Sequence, residues 1–323
     1  IGAKDAKRTL SMSTILVTGA GGGLGSNVVR VALARGHVVR ALVRDERKAR
    51  LPDGAVAIVG DALDVASMRR AAEGCEAVFH LANVAIGKDW VPLTARLLDA
   101  ALAACEASGA RLVFPANVWV YGRGTPGKLV AEDAPLAPCS RLGEARRHKE
   151  ERIRAAGIRW TMIRLPEFYG PHVQTLTGRP LQAIAQGQRG RWWGPADATI
   201  ELVYMPDAAE VLVAVGLADG SDGELFHLPG VAHTTARGFL SAAIRVAGMG
   251  NFSVMPTALV RAAALVHPLA WAFVDILHLW QQPILLDGSK LRARFPELTM
   301  TSYDDGLAAT LAWHRATPDA RMY

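Results

Sequence analysis

The run Thr18-Gly19-Ala20-Gly21-Gly22-Gly23-Leu24-Gly25 constrains the fold more than any other stretch of the chain. It follows a short β-branched and apolar segment that starts at Thr14, and it opens a helical stretch over residues 24–35. A turn this rich in glycine lets backbone N–H groups approach a bound group closely, because no Cβ stands between them. At the N-terminus of a helix, those N–H groups and the helix dipole suit a pyrophosphate. The strand–turn–helix context therefore points to a parallel sheet that carries a dinucleotide at its edge.

The rest of the N-terminal half repeats the alternation. Strands are expected over residues 38–43, 55–59, 77–81, 111–115 and 160–164, with helices over 64–73, 90–108 and 142–156. Short apolar strands separated by helices imply an α/β fold with right-handed crossovers. The alternation stops after about Gly170; residues 187–195 read as loop, and one more strand–helix unit is expected over 200–217. Residues 1–11 carry Lys4, Lys7 and Arg8 without an apolar run and read as an extension outside the fold. Residues 12–170 read as the dinucleotide-binding core, and 171–323 mainly as a substrate-binding lobe from which 200–217 returns to the core.

The net charge of +6 raises nucleic acid as a partner. The basic residues are interleaved with acids, however, as in Arg44-Asp45-Glu46-Arg47 and Arg147-His148-Lys149-Glu150-Glu151-Arg152. Such stretches read as solvated helix faces, and no basic platform with interspersed aromatics occurs, so nucleic acid is not expected as a partner. Cys75, Cys105 and Cys139 have neither metal-type nor CxxC spacing, which suits a reducing cytosol and no metal site. Residues 259–280 are strongly apolar but contain Arg261, His267, Pro268 and Asp275, which interrupt any membrane span. A buried or substrate-covering helix pair is expected there, with peripheral membrane contact as the alternative.

The spacing Gly19, Gly22, Gly25 after Thr18 resembles the TGxxGxxG form of the extended short-chain dehydrogenase/reductase superfamily, the epimerase/dehydratase-like branch. The likeness runs well from residue 14 to 217 and more loosely to 316. It implies a Rossmann-type parallel sheet flanked by helices, with a smaller C-terminal substrate lobe. It also implies that Gly19, Gly22, Gly23, Leu24 and Gly25 hold the cofactor, that Asp61 and Ala62 meet the adenine, and that Leu81, Ala82 and Asn83 pass beneath the adenosine. Val118-Trp119-Val120-Tyr121-Gly122 and Pro166-Glu167-Phe168-Tyr169-Gly170-Pro171 are similar to two further signatures, the second putting Pro166 and Phe168 beside the nicotinamide. Asp207 resembles a late helix-capping aspartate.

Members that bind NAD present a carboxylate at the end of the second strand. The likeness puts Val43 in that slot and Arg44 after it, and a guanidinium suits a 2′-phosphate, so NADP(H) is expected over NAD(H). Asp45, beside Arg44, argues the other way.

The resemblance also implies a Ser or Thr, a Tyr, and a Lys four residues after the Tyr. Here Asn117 stands in the Ser/Thr position, Leu142 in that of the tyrosine and Arg146 in that of the lysine. Independently of alignment, none of the five tyrosines is followed four residues later by lysine. Two readings follow. In one, the chain is an atypical oxidoreductase or epimerase/dehydratase of a small carbonyl or alcohol. Arg146 then bonds the nicotinamide ribose, and Glu167, with its pKa raised by partial burial, supplies the proton. The alternative role for Glu167 is a salt bridge to Arg164, and Tyr169 and His172 are lesser candidates. In the other reading, the chain is a catalytically inactive nucleotide sensor. The substrate pocket is expected to be apolar and aromatic, lined by Trp192, Trp193, Phe226 and the 259–280 segment. A homodimer through the Trp90 and Leu142 helices would follow the family's habit.

Overall fold

The computed structural model describes residues 12–173 and 175–318, so the extension expected over residues 1–11 lies outside the described residues. The described residues begin with β1 (Thr14–Thr18), α1 (Gly23–Ala34), β2 (Val38–Val43), β3 (Val56–Val59), α2 (Val65–Ala72), β4 (Ala77–His80) and α3 (Trp90–Ser108). They continue through β5 (Arg111–Asn117), a 3-10 turn (Val118–Tyr121), β6 (Leu129–Val130), α4 (Arg141–Ala155) and β7 (Trp160–Leu165). Next come β8 (Glu167–Tyr169), α5 (Gly178–Ala185), β9 (Arg189–Trp193), β10 (Thr199–Tyr204), α6 (Met205–Leu217) and β11 (Glu224–His227). The remainder is β12 (His233–Thr235), α7 (Ala236–Ala247), β13 (Asn251–Met255), α8 (Thr257–Ala263), α9 (Pro268–Ile276), α10 (His278–Gln281), β14 (Leu285–Leu286), α11 (Ser289–Arg294) and α12 (Tyr303–Ala316).

Seven parallel strands form the central sheet in the order β11-β7-β5-β4-β1-β2-β3. The order reverses at β1, which is the Rossmann-type arrangement the glycine turn implies. Both faces are covered, and so the inner strands are unbroken apolar runs rather than alternating ones. On one face α1 and α6 bury Val28, Val29, Val211 and Leu212 against Ile15, Val17 and Phe79. On the other, α2 and α3 bury Met68, Leu98 and Ala101 against Leu16, Val78 and Leu112. Leu16 is wholly enclosed, so Leu16→Ala would cost about 2–5 kcal/mol from lost transfer energy and the cavity left behind.

A second apolar centre lies among the later elements, where Leu181, Trp192, Phe239, Leu240, Phe273 and Trp280 pack around Tyr169. Around it run the three-stranded sheet β12-β10-β8 and the pair β13-β9. Residues 187–195, read from sequence as loop, contain β9. The unit over 200–217 divides: β10 joins the small sheet, while α6 packs on the main one. Phe226 is a further departure. It belongs to β11, the edge strand of the main sheet, where it packs edge-on against Phe295, away from the cleft described below.

The charged stretch 147–152 is not simply a solvated face. Lys149 and Glu150 are buried, and only their neighbours meet water. Asp207 lies within the first turn of α6 rather than ahead of the helix, and its carboxylate accepts bonds from the Thr301 N–H and hydroxyl at 2.7 and 2.8 Å. The apolar 259–280 segment forms α8, α9 and α10, broken before Pro268, a residue type suited to the first position of α9 because no N–H is needed there. No helix among the described residues is long and apolar enough to cross a membrane.

Candidate active site

The C-terminal ends of β1 to β7 converge on one edge of the sheet, where open α/β sheets bind ligands. At β1 the turn is locked by close backbone approach. Gly19 has φ +70°, and a Cβ on it would lie 2.7 Å from the Leu81 carbonyl oxygen. A Cβ on Gly25 would overlap the Gly19 carbonyl, and one on Gly23 would lie 2.5 Å from the His172 carbonyl. Gly21 faces open space. Thr18 adds a tie that sequence reading overlooked, its hydroxyl accepting bonds from the Leu81 and Ala82 N–H groups at 3.1 and 3.2 Å. Gly22 caps α1 without a side-chain bond, and the first turn holds no acid, so its N–H groups are left for an external anion. Leu24 meanwhile packs on the core.

Arg44 is exposed immediately beyond β2 and makes no ion pair among the described residues. Asp45 does not compensate it. Its carboxylate accepts the Arg47 N–H at 3.0 Å and pairs with Lys48 at 3.4 Å. Asp61 follows β3 and is exposed, holding the turn through a 2.9 Å bond from the Leu63 N–H, while Ala62 packs beneath it. Beyond β4, the Asn83 side-chain oxygen Oδ1 accepts the Trp90 indole N–H at 3.1 Å. The open cradle at Gly21 and the uncapped α1 fit the pyrophosphate of a nicotinamide dinucleotide.

The other half of the edge forms a cleft lined by Asn117, Trp119, Pro166, Glu167, Glu201 and Trp280, among others. Asn117 ends β5 and accepts the Trp119 N–H at 3.1 Å through its side-chain oxygen, which leaves its amide NH2 to face a ligand. Glu167 begins just past β7. One carboxyl oxygen accepts the Phe168 N–H at 3.1 Å, and burial pushes the carboxyl above the ordinary range despite that bond. The arginine at hand does not neutralise it. Arg164 is fully buried and bound through two 2.8 Å bonds to Glu150, with a third, 2.7 Å bond to the Asn117 carbonyl. Phe168, next to Glu167, packs on the main core.

Arg146 lies between two indoles, with its guanidinium carbon 5.2 Å from the Trp90 ring and 5.6 Å from that of Trp119. Burial pulls it down to about 10, so it stays charged at neutral pH, and its Nε has no partner among the described residues. Leu142 is buried beside it with Ala272 and Ile276 of α9. Asp275, also from α9, accepts the Leu142 N–H at 2.9 Å and so joins α9 to the start of α4. Trp90 and Leu142 are therefore covered by their own chain.

The lesser candidates lie elsewhere. Tyr169 is buried among Tyr204, Phe239 and Tyr303, and burial drives its phenol far above the usual range. His172 stacks on Trp313 at 4.7 Å. Trp192 and Trp193 pack on Trp280 and Phe273 behind the cleft rather than lining it.

Two residues at or near the site escaped sequence reading. Glu201, on β10, lines the cleft and accepts the Leu286 N–H at 3.1 Å. Burial lifts it to about 8, and its Oε1 has no hydrogen-bond partner among the described residues, although His233 Nε2 lies 3.4 Å away. An acid in the middle of the apolar strand Thr-Ile-Glu-Leu-Val-Tyr was the available signal. Lys149 rests 4.3 Å from the Trp90 ring centre and donates to the Thr94 hydroxyl at 2.5 Å. Burial, with Arg146 nearby, pulls its ammonium down to about 7.

Comparison with known proteins agrees with this geometry. Residues 15–228 match the sequence model of the "NAD dependent epimerase/dehydratase family". The chain is 32% identical over 209 residues to a 2-alkyl-3-oxoalkanoate reductase of Stenotrophomonas maltophilia, covering 60% of this chain and 62% of that protein. It is 21% identical over 287 residues to a decarboxylating sterol-4-alpha-carboxylate 3-dehydrogenase of Dictyostelium discoideum, covering 82% and 87%. Across the first three curated relatives it matches, the shared stretch is 22%, 52% and 62% of the relative's own length, below two thirds in each. Among solved structures, a UDP-glucose 4-epimerase of Thermotoga maritima superposes with a TM-score of 0.77 at 19% identity, covering 95% of this chain and 100% of that one.

Proposed function

We propose that this chain, which belongs to the NAD dependent epimerase/dehydratase family, is an NADP(H)-dependent oxidoreductase of a bulky apolar carbonyl or alcohol. Glu167 is its proton donor and acceptor in this reading. One observation carries it: Glu167 lines the cleft with no ion pair among the described residues, because Arg164 is held by Glu150.

The residues fit their parts as follows. N–H groups at the start of α1 take the pyrophosphate, Arg44 grips the 2′-phosphate, and Arg146 bonds the nicotinamide ribose. The dinucleotide, when bound, gives or takes a hydride at the substrate carbon. Asn117 donates its amide N–H to the substrate oxygen and orients it. In reduction, the protonated Glu167 carboxyl transfers its proton to that oxygen as charge develops there, and is left as carboxylate. In oxidation it takes the proton back. Leu142 has no exchangeable proton and can do neither. Glu201 holds a second polar group of the substrate, while Trp119, Trp280 and Pro166 exclude water from an apolar body. The relatives named as a 2-alkyl-3-oxoalkanoate reductase and a sterol-4-alpha-carboxylate 3-dehydrogenase support a large apolar substrate.

The test is NADPH consumption with a panel of long-chain and polycyclic ketones, on the unaltered chain and on Glu167→Gln. The variant keeps size and polarity but loses the ionisable proton, so kcat should fall by about 10²–10⁴ with NADPH affinity unchanged. Full activity in the variant removes Glu167 from the role. Tight NADPH binding without turnover on any ketone favours the nucleotide-sensor reading, to which the leucine at position 142 lends itself.

A further inference from the structure

The α8–α9 hairpin faces two ways. Inward, Val260, Ala270, Ala272 and Phe273 are buried, and α10 continues from the hairpin into the cleft wall at Leu279 and Trp280. Outward, at the turn between the helices, Leu265 and Val266 are 86% and 88% exposed. Leu259 and Trp271, on the two helices, are exposed as well. Single apolar residues at a surface need no explanation. Two adjacent ones almost wholly in water at a turn, with a leucine and a tryptophan nearby, do.

The charge around the turn is mainly basic, with Asp275 engaged by the Arg141 and Leu142 N–H groups at the start of α4. Residues 256–274 contain no aspartate or glutamate, and Arg261 and His267, both exposed, are their ionisable side chains. Arg141 of α4, also exposed, holds its guanidinium 5.6 Å from the Trp271 ring centre. With Leu265 and Val266 almost wholly in water, the feature is an exposed turn rather than a groove, so it suits a yielding surface better than a complementary protein pocket. Two copies meeting tip to tip would bring Arg261 and Arg141 against the same arginines. Apolar side chains at the apex, an indole at the flank and arginines behind them match the layers of an anionic membrane interface.

We infer that the α8–α9 turn docks the protein reversibly on an anionic lipid bilayer. Leu265 and Val266 enter the acyl boundary, Trp271 lies at headgroup level, and Arg261 and Arg141 meet the phosphates. The docking stands on the tip alone; only its use, delivering an apolar substrate to the cleft wall formed by the same hairpin, rests on the function proposed above.

Sedimentation of the full chain with vesicles tests it, using phosphatidylcholine alone and phosphatidylcholine mixed with phosphatidylglycerol. The unaltered chain should pellet with the mixed vesicles, be released by salt, and show a blue shift of tryptophan emission. The double variant Leu265→Glu, Val266→Glu should partition at least about tenfold less, with unchanged melting temperature and NADPH binding. Failure of the unaltered chain to bind mixed vesicles overturns the inference, as does equal binding by the double variant. A dimer that the double variant dissociates, with no vesicle binding, would identify the tip as a contact between copies and overturn it too. None of these results depends on turnover, so the docking can fail while the proposed reaction stands.

Discussion

Arg164 and Glu150 meet through two parallel 2.8 Å bonds, with neither side chain reaching water. The pair joins the middle of α4 to β7, and it also organises what surrounds it. The guanidinium carbon lies 4.6 Å from the Tyr121 ring centre, and the Tyr121 hydroxyl is 2.8 Å from His227 Nε2. His227 Nδ1 lies 3.0 Å from the Val130 carbonyl, which fixes the proton on Nδ1 and makes Tyr121 the donor to Nε2. A buried ion pair is not in itself a source of stability, since desolvation offsets much of the attraction. Its effect here is to commit Arg164 and leave Glu167 without an ion pair among the described residues.

Glu150→Ala should therefore destabilise the chain by about 3–5 kcal/mol, because it strands a buried guanidinium. Urea unfolding would measure it. The double variant Glu150→Leu, Arg164→Met should recover most of that loss, and a double variant as unstable as the single would show that the pair itself, and not the stranded charge, matters.

Arg44 should decide between the two nicotinamide dinucleotides. With no carboxylate on it, Arg44→Ala is expected to weaken NADPH binding by about 1–3 kcal/mol and to leave NADH binding nearly unchanged. Titration calorimetry with both cofactors checks this. Equal affinity of the unaltered chain for both would remove the 2′-phosphate assignment.

Within the glycine turn, two substitutions of the same size should behave oppositely. Gly25→Ala puts a methyl on the Gly19 carbonyl and should lower the melting temperature by several degrees while abolishing cofactor binding. Gly21→Ala meets nothing within 4 Å, so the chain should fold normally and any loss should appear in cofactor affinity alone. Differential scanning fluorimetry with and without NADPH separates the two.

Three buried histidines set an acid limit on stability. Burial lowers His80 to about 4, His227 to about 3 and His314 to about 4, against an ordinary value of 6.5. As pH falls below 6.5 the unfolded chain gains protons that the native chain refuses, so stability is lost from about pH 6.5 down to about 3. His314→Leu should flatten that decline in thermal melts; an unchanged slope would mean His314 titrates normally.

Glu201 has the opposite signature. Its carboxyl keeps a proton to about pH 8 in the native chain, whereas the unfolded chain releases it near 4.5. Stability is therefore lost as pH rises between those values. Glu201→Gln cannot ionise, so its stability relative to the unaltered chain should climb from pH 4.5 to about 8 and then level off. A constant difference across that range would mean that Glu201 is ionised throughout.

Much of this was legible in the residues. The strands β1, β4, β5 and β7 announce themselves because burial on both faces demands unbroken apolar runs. β9 and β13 were not legible, since they pair only with each other and carry no such pattern. In α4 the evenly mixed charges hid a buried stripe: Leu142, Arg146, Lys149 and Ile153 follow helical spacing, but two of the four are cations held against Trp90. That Arg164 chooses Glu150 over Glu167 depends on which side of β7 each acid lies, and this is a matter of tertiary packing rather than of spacing.

The order in which β11 enters the main sheet bears on how the protein is made. The strand that closes the sheet beside β7 lies at residues 224–227, after β8, β9 and β10 have already been laid into other sheets. During synthesis the flank of β7 thus stays open while some sixty further residues emerge, and an unpaired strand edge in a nascent chain is a site for misassembly. The nucleotide-binding half cannot be completed first and handed on; its last strand arrives through the lobe, so the two must mature together.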